Sequence, residues 1–265
     1  MRLNGLELNA EIDGSGPPLL VLHGFTGSIG AWDEVRPAIA AFARAIWVDA
    51  LGHGQSAAPA EPGRYSLDWS TRDLAALLDA LELERVDVLG YSMGGRAALH
   101  FAVNALPRVR RLILESASPG LEDDAEREQR AESDNALADR IVRMGIAAFV
   151  AEWERQPLLQ AAAQRTEAVR QTQHAQRLQN TALGLANSLR GMGTGQQAPL
   201  WSRLPQVDRP VQLIVGAHDA RYRLIAERMQ ALLPCAGLAV VPDAGHTVHL
   251  DQPARFIDLV KTALA

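Results

Sequence analysis

The stretch Val86-Asp87-Val88-Leu89-Gly90-Tyr91-Ser92-Met93-Gly94-Gly95-Arg96-Ala97-Ala98-Leu99-His100 decides the fold. Its opening is a short, nearly continuous apolar run, the pattern of a strand buried on both faces. Its end follows a helical pattern. Between them lies Gly-x-Ser-x-Gly, which predicts a tight strand–turn–helix bend with Ser92 at its apex. Such a bend crowds the backbone, so the residues two before and two after the serine must be small, and Gly90 and Gly94 are. A serine at the start of a helix also faces free backbone N–H groups that can stabilise negative charge.

Outward from this bend, strand-like and helix-like segments alternate, the mark of a mostly parallel sheet covered by helices. The segments Leu19–Leu22, Ala45–Val48, Arg85–Leu89, Arg111–Glu115, Val211–Val215 and Leu238–Val241 read as strands, and Leu6–Ile12 as an early edge strand. Helical patterns fall at Ala31–Ala43, Asp68–Leu81, Met93–Leu106, Leu224–Leu233 and Pro253–Leu264. From 121 to 204 no strand candidate occurs. That stretch is polar, Ala-rich and helical in period, with Leu137, Ile141 and Met144 on one repeat and Phe149, Val150 and Trp153 on another. It is too long for a loop. The expected division is therefore a core of residues 1–120 and 205–265, with a helical lid, 121–204, over the strand ends where open α/β sheets bind ligands.

An exposed serine needs a base, an orienting acid and donors for developing charge. The donors expected are the backbone N–H of Met93 and that of Phe25, in His23-Gly24-Phe25-Thr26-Gly27 after the strand Leu19–Leu22. Chain order places the acid after a late strand and the histidine after the last one. Asp219 and His246 stand there, in Gly216-Ala217-His218-Asp219 and Asp243-Ala244-Gly245-His246. Asp243 is the rival acid, but a residue three away on one loop suits the Asp–His geometry poorly. Of the other histidines, His23 and His53 read as structural, His100 lies in a helix, His174 in the lid, and His218 should point away from its neighbour. His249 is a candidate pocket contact.

Composition sets outer bounds. The 265 residues are 48% hydrophobic and 22% charged, enough for one large α/β domain with an insertion. A net charge of −5 argues against nucleic acid as partner. The lone Cys235 rules out an internal disulfide and a cysteine-based zinc site, and reads as a small buried filler. Neither a signal peptide nor an apolar run of about 18 residues is visible, so the expectation is a cytoplasmic protein with no membrane span. Monomer or weak homo-oligomer is expected. Lys261 is the only lysine against 25 arginines, and arginine grips carboxylates in a planar fork that lysine cannot imitate.

At this point the chain resembles the α/β-hydrolase fold over nearly its whole length. More narrowly it is similar to the 2-succinyl-6-hydroxy-2,4-cyclohexadiene-1-carboxylate synthase family, which eliminates pyruvate in menaquinone biosynthesis. Four stretches carry the likeness: Leu22-His23-Gly24-Phe25-Thr26-Gly27-Ser28 with Trp32; Gly90 to Arg96; Leu189-Arg190-Gly191-Met192-Gly193-Thr194-Gly195-Gln196-Gln197 through Trp201; and Ala244-Gly245-His246-Thr247-Val248-His249 before Pro253. The first and last are widespread in the fold, whereas the Gly-Gly-Arg extension and Gly-Thr-Gly-x-Gln are restrictive. Ala198-Pro199 departs from the family's usual Pro-Ser, and Asp251 from a frequent Glu.

The resemblance implies a mostly parallel eight-stranded sheet, a Ser92–His246–Asp219 triad, and a small polycarboxylate substrate, with no metal or organic cofactor. Arg127, Arg130 and Arg177 match the family's substrate-binding lid cations and Trp153 its lid aromatic, and Tyr91 and Arg96 are expected to hold substrate carboxylate or carbonyl oxygens. Arg96 has a physical argument of its own, since a cation in the first turn of a helix opposes the dipole and so calls for an anion to meet. The alternatives left open are an esterase or carbon–carbon bond hydrolase using the same triad through an acyl-serine, and a non-catalytic member of the fold.

Overall fold

The computed structural model describes residues 1–156 and 165–265. The segment 157–164 of the expected lid lies outside the described residues. A central sheet runs in the order β3-β5-β4-β6-β7-β8-β9, formed by β3 (Ala10–Asp13), β4 (Pro18–Leu22), β5 (Arg44–Val48), β6 (Val86–Tyr91), β7 (Val109–Glu115), β8 (Val211–Gly216) and β9 (Ala236–Val241). Only β3, paired with β5, is antiparallel.

This sheet has seven strands among the described residues, not eight. The expected edge strand Leu6–Ile12 is split. Its first part, β2 (Leu6–Glu7), folds back on β1 (Arg2–Leu3) as a separate two-stranded ribbon. The cause is the Asn4-Gly5 turn, with φ of 47° and 85°, which is the type I′ signal for a tight hairpin. The ribbon uses up residues that would otherwise extend the edge.

The alternation along each central strand feeds two cores. Leu20 and Leu22 of β4, with Ile46, Val48 and Val88, face α2 (Leu67–Ala80), α3 (Met93–Asn104) and α7 (Ala220–Leu232), burying Leu77, Leu99 and Met229. Leu19, Val21, Trp47 and Leu89 face the other way, onto Ile39 of α1 (Arg36–Ala40) and Phe256 and Val260 of α9 (Pro253–Leu264). The expected helix Ala31–Ala43 is shorter. Its start is a 3-10 turn, Ile29–Trp32, and Pro37 sits where α1 begins, a position at which its missing N–H costs nothing. Cys235 is exposed just ahead of β9, correcting its reading as a buried filler.

Above the strand ends lie α4 (Asp124–Trp153), α5 (Glu167–Arg177) and α6 (Ala182–Met192). Each begins at a side-chain cap: Asp123 accepts from the Glu126 N–H, Thr166 from Val169 and Thr181 from Gly184. Gly145 breaks α4 with φ 77° and ψ 168°, backbone that belongs almost solely to glycine. The kink lets Ala138 and Ile141 before it, and Phe149 and Val150 after it, share a third apolar cluster with Leu185 and Leu189. The two ends of this helical layer meet, Leu200 N–H donating to Pro119 O and Trp201 Nε1 to Gly120 O. Among the described residues no helix is long and apolar enough to cross a membrane.

Candidate active site

Ser92 sits between β6 and α3 with φ 51° and ψ −108°, strain that the surrounding structure must hold. The crowding expected from the motif is visible. A Cβ on Gly94 would stand 2.2 Å from Leu22 O, and one on Gly90 2.4 Å from Gly94 O. The Ser92 N–H donates to Glu115 O at 2.8 Å, so β7 anchors the bend from beside it.

His246 reaches Ser92 from the loop after β9. Its Nε2 lies 2.9 Å from Ser92 Oγ and its Nδ1 2.6 Å from Asp219 Oδ2. Asp219 and His246 are 6% and 3% exposed, so water competes little for either contact. Asp219 also caps α7, its Oδ1 accepting the Tyr222 N–H, and the Tyr222 ring packs against the imidazole at 4.5 Å between centroids. This fixes Nδ1–H as donor and Nε2 as acceptor toward the serine hydroxyl. The rival Asp243 faces elsewhere, 4.0 Å from the exposed His218.

The first strand loop is held by His23. Its Nδ1–H donates to Gly24 O at 2.8 Å, while Nε2 accepts the Ala50 N–H at 3.0 Å. Burial, partly opposed by Asp49, lowers its pKa and keeps it neutral. The carbonyl of Gly24 and the N–H of Phe25 belong to one peptide and point oppositely, so gripping the first aims the second. Neither Phe25 nor Met93 N–H has an acceptor among the described residues. His53 packs on His23 at 5.1 Å and is pressed down to about 3, chiefly by burial.

Ser92 and His246 open into a cavity of about 220 Å³ under the helical layer. Phe25, Tyr91 and Met93 form part of its wall, with Arg96, Arg130, Asp134 and Trp153. Trp153 stands edge-on to Phe25 at 5.3 Å. Arg96 is buried, its Nη1 donating to Met192 O at 2.8 Å and Gln197 Oε1 at 3.1 Å. Those acceptors come from the Met192-Gly193-Thr194-Gly195-Gln196-Gln197 segment, which explains what that motif does: it aims a guanidinium. Desolvation lowers Arg96 to about 10, still charged at neutral pH. Arg130 pairs with Asp134 at 2.8 Å. The Tyr91 hydroxyl is engaged with Thr247 Oγ1 at 2.8 Å, and burial pushes its pKa far up. Tyr91 therefore meets the cavity with its ring.

Three sequence expectations need correction. Arg127 does not line this cavity: it bonds Leu121 O, Glu122 O and Asp124, drawn down by the acidic start of its own helix. Arg177 lies in a smaller neighbouring cavity of about 40 Å³, beyond the shared wall of Phe25 and Tyr91, and pairs with Glu154 at 2.8 Å. His249 is no contact of the catalytic cavity. It is buried, with its Nδ1 2.7 Å from Glu115 Oε2 and the Trp32 ring packed against it, tilted by 33°, at 4.3 Å between centroids. Conversely, Arg221 and Tyr222 line the cavity and were not singled out. Arg221 carries the same signal that marked Arg96, a cation in the first turn of a helix that begins at a strand's C-terminal end.

Comparison with known proteins gives the family. The family model for the alpha/beta hydrolase fold matches residues 17–253. The Klebsiella pneumoniae (strain 342) 2-succinyl-6-hydroxy-2,4-cyclohexadiene-1-carboxylate synthase is 35% identical over 98% of this chain and 100% of its own. A Bacillus subtilis (strain 168) protein provisionally given that same name is 45% identical over 93% of this chain and 89% of its own. The structure of MenH from S. aureus superposes with a TM-score of 0.91 and 29% identity, covering 97% of each chain. On this footing the chain belongs to the 2-succinyl-6-hydroxy-2,4-cyclohexadiene-1-carboxylate synthase family of α/β-hydrolase-fold proteins.

Proposed function

We propose that the chain is a carbon–oxygen lyase of menaquinone biosynthesis. It eliminates pyruvate from 2-succinyl-5-enolpyruvyl-6-hydroxy-3-cyclohexene-1-carboxylate and leaves the cyclohexadiene. The observation that carries the reading is the meeting of a Ser–His–Asp chain with Arg96 and Arg130 in one cavity. A pocket for neutral esters would place apolar residues there. The substrate carries three carboxylates, and each guanidinium offers paired donors to one.

In this reading His246, oriented by Asp219, takes the Ser92 hydroxyl proton, and the Ser92 oxygen removes the ring proton α to the succinyl carbonyl. The dienolate oxygen lies against the Phe25 and Met93 N–H groups. Electrons shift through the ring and break the carbon–oxygen bond to the enolpyruvyl group. Ser92 has regained a proton from the ring, and the imidazolium returns its own to the departing enolate, giving pyruvate. The sequence asks for no metal or organic cofactor, and the chain works in the cytoplasm as a monomer or weak homo-oligomer. Hydrolysis through an acyl-Ser92 would use the same triad, and the paired arginines weigh against it.

The test is product balance. Purified protein given the enolpyruvyl substrate should release one pyruvate per diene formed. Turnover of a nitrophenyl ester with no pyruvate from that substrate would sink the lyase reading.

A further inference from the structure

The geometry points to Asp251 as a positioning residue for His246, held in place by Arg165 from the helical layer. The inference rests on the Ser92–His246–Asp219 reading above. Asp251 ends the short helix α8 (Val248–Asp251), five residues past His246. Its side chain is 1% exposed, and both its oxygens are used. Oδ2 accepts the Gly245 N–H at 2.8 Å, one residue before His246, and Oδ1 accepts Arg165 Nε at 2.7 Å. Arg165 is itself 7% exposed at the side chain and leads into α5. Among the described residues it makes the one ion pair between the helical layer and the loop 244–251.

The loop is thereby clamped from two sides. Toward the core, the His218 N–H donates to Ala244 O at 2.9 Å, tying the His246 loop to the Asp219 loop. Away from it, among the described residues, the Gly245 N–H is held by the carboxylate of Asp251 alone. A carboxylate this buried needs its cation, because removing one partner of a buried pair leaves an uncompensated charge. Without Arg165 the carboxylate relieves its burial by taking up a proton or by turning outward. Either weakens its grip on Gly245, and the imidazole loses its fixed approach to Ser92. The helical layer therefore supplies, besides a roof for the cavity, the charge that keeps the catalytic loop in register.

The full-length chain tests this with Arg165→Met, Asp251→Asn and the double variant. Two quantities are read: the low-field proton resonance of His246 Nδ1–H, and kcat and KM for pyruvate release. Arg165→Met is expected to lose or broaden the resonance and to lower kcat roughly ten- to a hundredfold with little change in KM, the scale of a small misplacement of a reacting group. The Asn of the double variant still accepts from Gly245 and buries no charge, so resonance and kcat should largely return. Arg165→Met with both unchanged, or a double variant no better than the single, overturns the proposal. Should Arg165→Met not fold, the double variant beside wild type decides: its Asn still accepts from Gly245 with no charge buried, so the resonance must persist in it, and its loss counts against the proposal. The resonance does not depend on substrate, so a chain that shows these shifts yet releases no pyruvate would refute the lyase reading and leave the clamp standing.

Discussion

Every side-chain polar atom of the Ser92–His246–Asp219 chain has a partner that fixes its role, and single residues therefore carry sharp consequences. Ser92 and His246 were legible because each chemistry-bearing residue had a local motif. The cations were legible only as types. Arg127 and Arg130 lie three apart on one helix, yet a turn of acidic residues at the helix start captures the first and leaves the second at the cavity. Periodicity cannot see that competition, because it depends on where the cavity ends. The two arginines should accordingly separate in assay. Arg130→Met is expected to raise KM for the polycarboxylate by about tenfold or more, the loss of a charged hydrogen bond. Arg127→Met should stay within about a factor of two, as for a surface substitution. Steady-state pyruvate release checks both.

At the scale of elements, the strand–bend–helix around Ser92 was readable because steric crowding demands glycine on both sides of it. The packing makes that demand quantitative: Gly94 has backbone oxygens of Leu22 and His23 at 2.2 and 2.5 Å from where a Cβ would sit. Gly94→Ala is therefore expected to cost at least about 2 kcal/mol, with backbone rather than a flexible side chain in the way. A urea midpoint measured beside wild type tests it, and an unchanged midpoint would mean the bend relaxes freely. The hairpin of β1 and β2 was hidden by a different cause. A run of alternating residues, Leu6–Ile12, looks like one strand, and only the Asn4-Gly5 turn diverts its first part. The kink at Gly145 escaped likewise, because apolar spacing continues on both sides of it.

At the scale of the whole molecule, the fold class followed from alternating strands and helices plus one bend, while the pocket did not, since its walls come from distant stretches that only the folded chain unites. Asn180 shows this: its amide donates to Thr26 O and its carbonyl accepts the Gly54 N–H, joining the helical layer to two core loops. The same core imposes a pH dependence. His53 is buried and neutral, with its pKa pressed from 6.5 to about 3 in the fold. Between those values the unfolded chain holds the extra proton, so stability is full above pH 6.5 and falls as pH drops toward 3. At pH 4.5 His53 alone should cost about 2–3 kcal/mol, at about 1.4 kcal/mol per pKa unit. His23, shifted the same way by burial, adds to the effect. Urea unfolding at pH 7.5 and 4.5 should show a smaller difference in His53→Gln than in wild type. In the proposed reaction the Ser92 oxygen, made basic by His246, removes the proton that starts pyruvate elimination. The measurement nearest to it is the pyruvate-release rate of Ser92→Ala beside wild type at saturating substrate. A fall of at least roughly 10³-fold with the fold intact is expected; a variant that releases pyruvate at the wild-type rate would rule out Ser92 as the base.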